Sequence, residues 1–259
     1  MEDLEKYAKA LRDANANKIP IAPLRDAIGT KDLDLAYKIQ NINTEARLKS
    51  GAKIVGTKIG LTSKAVQKQL GVDQPDYGML FNDMEISNGN SISMQEMMQP
   101  KVEAEIAFVL AKDIEKADIT IEDLVDAIDY AQPCLEIVGS RIENWNIKIT
   151  DTIADNASAS HFVLGENRKK LTDIDLINCK MIMKKGNETV SQGTGADCLG
   201  SPLIATLWLA NKMVELGKPL KAGEIILSGA LGPMAAVNAG DTIEANFEGL
   251  GSVSISFIE

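Results

Sequence analysis

Histidine occurs once in the 259 residues, at position 161, and cysteine only three times. A single imidazole cannot build a multi-histidine metal site, and no Ser-His-Asp arrangement stands out around it, so His161 reads as structural. Cys134, Cys179 and Cys198 are odd in number and far apart; neither a disulfide framework nor a CxxC metal knuckle is suggested, and reduced core thiols are expected. Positive charge is also scarce. With 27 Lys and Arg against 37 Asp and Glu, the formal net charge of −10 opposes nonspecific attraction to nucleic-acid phosphate or anionic lipid. No apolar run approaches the ~20 residues of a membrane helix. The opening Met1-Glu2-Asp3-Leu4-Glu5-Lys6 is polar where a secretory signal would place a basic patch and an apolar run. A cytoplasmic protein with no nucleic-acid and no membrane partner is expected. Internal repeats, low-complexity tracts and a flexible linker are absent too. Gly193-Thr194-Gly195 and Gly229-Ala230-Leu231-Gly232-Pro233 read as turns and lack the GxGxxG spacing, which argues against a Rossmann dinucleotide site.

What is present is a 45% hydrophobic chain, ample for a core. Leu4, Tyr7, Ala8 and Leu11 share one face of a helix predicted from Glu2 to about Asn15, and Leu33, Ala36, Tyr37 and Ile39 mark a second from about Asp32 to Leu48, beyond the Pro20 and Pro23 break. These read as an N-terminal helical cap, residues 1–50. From residue 51 onward short β-like runs dominate: Lys53–Ile59, Val102–Leu110, Leu135–Val138, Cys179–Lys184, Ile225–Leu227, Thr242–Phe247 and Ser252–Ile258. Thr120-Ile121-Glu122-Asp123 resembles a capping box, Ser201-Pro202 opens a helix that should stop at Gly217, and Met181–Val190 reads as a hairpin turning at Gly186-Asn187. Without strict βαβ alternation, the pattern indicates an α+β fold with an antiparallel or mixed sheet, residues 51–259 forming a single compact catalytic domain.

The most informative local pattern is Lys101–Leu110. In a strand, Val102, Ala104, Ile106, Phe108 and Leu110 share a wholly apolar face, whereas Glu103 and Glu105 share the other with Ala107 and Val109. An arbitrary strand would turn such acids to water. Here the apolar residues that continue the acidic face point to a partly enclosed cleft. Two carboxylates separated by roughly 7 Å along a strand repel one another there unless a proton or cation intervenes, and an oxygen-liganded Mg²⁺ or Mn²⁺ would resolve the conflict. Glu136 interrupts an apolar run, Gln132–Val138, and reads either as a third such acid or as the salt-bridge partner of Arg141. Lys58 shares its strand face with Gly56 and Gly60, which would admit a ligand or another backbone; the alternative is a snorkelling surface lysine. Asp76 falls in Gln74-Pro75-Asp76-Tyr77-Gly78, good turn chemistry that proves nothing catalytic by itself.

Several phrases together resemble the 2-oxopent-4-enoate hydratase and 4-oxalocrotonate decarboxylase family of the fumarylacetoacetase-like superfamily: Gly56–Ser63, Pro100–Ile106, Leu135–Arg141, Ala154-Asp155-Asn156-Ala157-Ser158 and Gly249–Val253. The resemblance runs from about Gly51 to the end and is weaker in the N-terminal helices. It implies a fumarylacetoacetase C-terminal-like mixed β-roll or sandwich core and a Mg²⁺ or Mn²⁺ ion held by Glu103, Glu105 and Glu136. It also implies a catalytic lysine at Lys58 and a substrate-contacting serine at Ser158. In hydratases of the family the turn holding Asp76 carries an acid where decarboxylases have an apolar residue, so Asp76 favours water addition to a small 2-hydroxydienoate, as in meta-cleavage breakdown of aromatic compounds. The decarboxylase is the alternative, and a noncatalytic partner subunit is the rival of another class. Carbon–carbon hydrolases of the superfamily rely on an early histidine, which this chain lacks. The resemblance further implies a homo-oligomer and, as candidate partners, a downstream aldolase or a paralogous decarboxylase.

Overall fold

The computed structural model describes residues 2–259. Helices α1 (Glu2–Asn17), α2 (Arg25–Ile28) and α3 (Leu33–Lys49) come first, α3 capped by the Asp32 carboxylate on the Leu35 amide. Then follow β1 (Ile54–Gly60), α4 (Lys64–Leu70), β2 (Asp76–Phe81), β3 (Glu85–Ser87), β4 (Ser91–Ser93), β5 (Lys101–Leu110), α5 (Ile121–Ala127) and β6 (Ile128–Val138). The rest comprises α6 (Ile149–Ala154), β7 (Ala159–Leu164), β8 (Lys180–Lys185), β9 (Glu188–Thr194), α7 (Pro202–Glu215), β10 (Ile225–Ala230), β11 (Ala235–Ala236), β12 (Thr242–Phe247) and β13 (Gly251–Ile258).

The strands form two sheets. The larger runs β2-β1-β10-β5-β6-β7-β3 with β11 attached to β5, and the smaller runs β4-β13-β12-β8-β9. Most pairs are antiparallel; β1 with β10, β3 with β7 and β4 with β13 are parallel, so both sheets are mixed, as an α+β chain without βαβ alternation should give. Strands β12 and β13 lie against β6 and β7, and one core spans both sheets, with Phe108, Leu135, Ile137, Ile243, Ile255 and Phe257 all essentially without solvent exposure. A second apolar cluster joins α1 and α3 to α6 through Ala8, Leu11, Ile39, Ile149 and Ile153. The N-terminal helices therefore rest on the segment that precedes Ser158. They also reach β2: the Gln40 amide donates to the carbonyls of Tyr77 and Ile153, and the rings of Tyr37 and Tyr77 stack at 4.5 Å.

The Thr120–Asp123 capping box, the Ser201 cap and the β8–β9 hairpin with Gly186 at φ +57° form as the sequence indicates. Other expectations need correction. Asp76 is not in a turn: it opens β2, paired with Gly60, because the proline before it fixes only the entry to an extended run that is buried throughout. Gly193, Thr194, Gly229 and Ala230 likewise lie in strands rather than turns. The run at Leu135–Val138 is the end of an 11-residue strand; Pro133 sits within it, its carbonyl still accepting from the Gly165 amide at 2.8 Å. The short strands β3, β4 and β7 and the helices α4 and α6 carry too little periodicity to be read in advance.

Candidate active site

Adjacent antiparallel strands bring the three glutamates together. Glu103 and Glu105 lie two apart on β5 and so share a face, and Glu136 on β6 is the cross-strand partner of Glu103. One carboxylate oxygen from each lies within 4.8 Å of the others. Glu105 and Glu136 are fully buried and Glu103 is half-buried; the solvated alternative for this face does not hold. The Gly229 amide donates to Glu105 Oε2 at 2.7 Å, but Glu105 Oε1 and both Glu136 oxygens have no hydrogen-bond partner among the described residues.

Lys58 comes from β1, two strands from β5 across β10, and is buried rather than snorkelling. Its ammonium stands 3.3 Å from Glu136 Oε1 and donates to the Ala157 carbonyl at 2.9 Å. Arg141, the sequence's other candidate partner for Glu136, pairs instead with Asp155. The glycines flanking Lys58 do different work. A Cβ at Gly56 would lie 1.9 Å from the Ile225 carbonyl oxygen, so that glycine allows the β1–β10 approach. A Cβ at Gly60 would lie 2.2 Å from Asp76 Oδ1 and 3.3 Å from Lys58 Nζ, so the second glycine makes room for the acid beside the ammonium. Asp76 is itself buried, with Oδ2 unpartnered and Thr152 and the Gly60 amide facing its carboxyl.

Ser158 closes a turn of unusual backbone. Asn156, Ala157 and Ser158 have φ of +55°, +49° and +59°, three successive non-glycine residues in the left-handed region. Each such residue costs on the order of 1–2 kcal/mol, and a run of them persists only when its surroundings over-determine it. Here they do. The Asn156 side chain accepts from the Met79 amide and donates to the Met79 carbonyl, at 2.8 and 2.9 Å. The Ser158 carbonyl accepts from the Gly139 amide at 2.8 Å, and its hydroxyl lies 3.1 Å from that of Thr152. Thr152 thus stands between Ser158 and Asp76.

One ammonium faces four carboxyls in this cluster. Burial opposes every charge in it, yet Lys58 is held above the ordinary lysine range because Glu136, Asp76, Glu103 and Glu105 together outweigh its desolvation. For the acids burial outweighs the pull of Lys58 and, at Glu103, of Lys101: Glu103, Glu105 and Asp76 are raised, and Glu136 is pushed up to about 7. Orphaned buried oxygens in an excess of carboxyls form a hard oxygen donor set that fits a divalent ion.

A cleft of about 470 Å³ opens beside Glu103, walled by Ile59, Leu61, Val66, Pro233 and Met234, with Asp197 also at its edge. A second cavity of about 420 Å³ lies under the N-terminal helices, lined by Arg47, Arg141, Asp155 and His161; it touches the far side of the Asp155–Ala159 segment and not the glutamates. The site groups that sequence reasoning does not reach are Thr152, the pairing of Arg141 with Asp155, and Asn156. Asp155 and Asn156 lie in the Ala154–Ser158 phrase and Arg141 closes the Leu135–Arg141 phrase, whereas nothing local marks Thr152.

The sheet arrangement and the buried acid–lysine cluster define a fumarylacetoacetase-type catalytic domain. The chain belongs to the family described as fumarylacetoacetate (FAA) hydrolase C-terminal, whose profile matches residues 51–257. Among its relatives, 2-keto-4-pentenoate hydratase 2 of Dechloromonas aromatica (strain RCB) is 55% identical over 253 residues, 98% of this chain and 97% of that protein. The TodF product hydratase of Pseudomonas putida (strain F1) is 52% identical over 254 residues, 98% of this chain and 95% of that protein. Among solved structures, 4-oxalocrotonate decarboxylase from Pseudomonas putida G7, complexed with magnesium and adipate, superposes with a TM-score of 0.95 at 34% identity, covering 99% of this chain and 98% of that one.

Proposed function

We propose that this protein is a hydro-lyase that adds water to 2-hydroxypenta-2,4-dienoate (2-oxopent-4-enoate) to give 4-hydroxy-2-oxopentanoate, a step of meta-cleavage aromatic catabolism. The observation that carries the reading is the convergence of Glu103, Glu105 and Glu136 on one point at the foot of the cleft, with Lys58 and Asp76 beside it. Identities of 55% and 52% to hydratases, against 34% to a decarboxylase, support water addition over loss of carbon dioxide, as does the acid at position 76. A noncatalytic role would leave no reason to keep a buried lysine among four acids.

Glu103, Glu105 and Glu136 would hold Mg²⁺ or Mn²⁺. Such an ion supplies Lewis acidity toward the oxo-acid end of the substrate and offsets the repulsion among the glutamates. Hydration then needs two proton movements. The 2-hydroxyl proton must leave while C5 gains one, which turns the dienol into an α,β-unsaturated ketone; water next delivers its hydroxyl to C4 and a proton ends on C3. Negative charge gathers on the 2-oxygen at both stages, and the Lys58 ammonium, fixed by the Ala157 carbonyl, is the group that meets it. Asp76, whose burial favours the protonated carboxyl, carries protons between the diene and the attacking water. Ser158 orients the substrate carboxylate or the water from its fixed turn. The apolar walls of the cleft accept the unsaturated tail.

The test is the loss of dienoate ultraviolet absorbance. Chelation with EDTA should abolish it and readdition of Mg²⁺ or Mn²⁺ should restore it, with 4-hydroxy-2-oxopentanoate as product. Turnover unchanged after thorough chelation, or release of carbon dioxide from 4-oxalocrotonate at a higher kcat/KM, would overturn the reading.

A further inference from the structure

We propose that Arg141 is a positioning residue for Lys58: it clamps the left-handed Asn156–Ser158 turn from below and so sets where the Ala157 carbonyl holds the lysine ammonium. The inference rests on the role given to Lys58 above. Three observations carry it. Arg141 grips the residue before the turn completely, its backbone amide and Nε donating to the two carboxylate oxygens of Asp155 and Nη2 donating to the Asp155 carbonyl at 2.7 Å. It also reaches the residue after the turn, both terminal nitrogens lying 3.4 Å from the Ala159 carbonyl. Between those two anchors the chain adopts three successive strained conformations, and the middle one aims the Ala157 carbonyl at Lys58 Nζ.

The geometry requires this particular side chain. A planar guanidinium can bind a carboxylate edge-on while its outer nitrogens reach two backbone carbonyls; a lysine offers one point charge and cannot span the turn. The Ala157 carbonyl is a neutral acceptor that competes with the four surrounding carboxyls for the ammonium. If the turn relaxes, the ammonium is free to settle among the carboxyls, away from the place where charge develops on the substrate. Arg141 itself touches no residue of the acid cluster. It borders the cavity under the N-terminal helices, so its effect on the chemistry passes through the backbone alone.

The experiment compares Arg141→Lys with Lys58→Ala and wild type. In Arg141→Lys, kcat should fall about 10–100-fold, while KM and the Mn²⁺ concentration giving half-maximal thermal stabilisation change by less than about threefold. Merely structural damage would move all three together and lower the melting temperature. Should Arg141→Lys fail to fold, the isosteric Asp155→Asn, which weakens the same grip without deleting it, should show the same split. Added guanidinium should also recover part of the kcat of Arg141→Ala, because the cavity gives it a route to the vacated position. Wild-type kcat in Arg141→Lys, or equal losses in kcat, KM and metal response, would overturn the proposal. A Lys58→Ala variant as active as wild type would instead overturn the role of Lys58 on which it rests.

Discussion

The Lys58 ammonium lies 3.3 Å from Glu136 but gives a well-formed hydrogen bond to the neutral Ala157 carbonyl, so the lysine is held between a charge and a dipole rather than collapsed onto the acid. Removing it leaves Glu136, Glu105 and Asp76 without their facing cation when no metal is bound, and Glu103 with Lys101 alone. Breaking a buried pair in this way costs roughly 3–5 kcal/mol, and proton uptake by the raised carboxyls moves the loss toward the lower end. Lys58→Met should therefore lower the metal-free melting temperature by roughly 6–12 °C, and saturating Mg²⁺ should recover most of it while kcat stays depressed. A metal-free variant as stable as wild type would mean that the ammonium does not offset the acids.

Glu136 contributes two buried oxygens with no hydrogen-bond partner among the described residues, which is costly unless an ion uses them. Glu136→Gln removes one negative charge from the cluster and one ligand from the candidate site. The variant should be at least as stable as wild type without metal, and should lose most of the thermal stabilisation that millimolar Mg²⁺ or Mn²⁺ gives wild type. Differential scanning calorimetry with and without the ion reads both effects. An undiminished metal response would place the ion elsewhere.

Proton uptake by the same group sets a pH dependence. In the folded, metal-free protein Glu136 titrates at about 7, raised by burial from an ordinary value of 4.5. Between those values the folded state binds a proton that the unfolded chain has released, so by linkage stability is greatest on the acid side and declines as pH rises through the window. An ion needs the ionised carboxylates and should show the opposite trend, its stabilisation growing over the same interval. Melting temperatures from about pH 5.5 to about pH 7.5, wild type against Glu136→Gln, should show the metal-free decline in wild type and a smaller one in the variant, where burial still raises Glu103, Glu105 and Asp76. Parallel curves for the two proteins would exclude Glu136 as the titrating group.

What the sequence made legible, and what it did not, follows from the range of each interaction. Glu103 and Glu105 were readable because a strand's two-residue period places them on one face without any tertiary knowledge. Glu136 could not be assigned from its own neighbours: its pairing opposite Glu103 is a matter of strand register, and Arg141, close in sequence, turned out to bind Asp155. Asp76 reads as a turn residue because Pro-Asp-x-Gly is turn chemistry locally, whereas pairing with β1 and burial under the N-terminal helices impose a strand. The left-handed run was invisible for a stronger reason. Ala157 has no preference for positive φ, and only contacts from Met79, Gly139 and Asp155 neighbours hold it there.

The two glycines on either side of Lys58 separate chemistry from folding, and alanine substitutions should show it. At Gly56 the new methyl would lie 1.9 Å from a backbone oxygen of β10, which can yield only if the β1–β10 ladder opens; Gly56→Ala should express poorly or melt far below wild type. At Gly60 the first obstacle is the end of a side chain, Asp76 Oδ1 at 2.2 Å, with Lys58 Nζ at 3.3 Å. Displacing Asp76 costs its contacts with Thr152 and the Gly60 amide, but the obstacle is the end of a side chain and not backbone, so the strand pairing can survive. Gly60→Ala should therefore fold, keep its metal-induced stabilisation and lose on the order of 100-fold in kcat, the contribution expected of one displaced acid–base group. If Gly60→Ala turns over at the wild-type rate, the closeness of Asp76 to Lys58 has no part in the reaction.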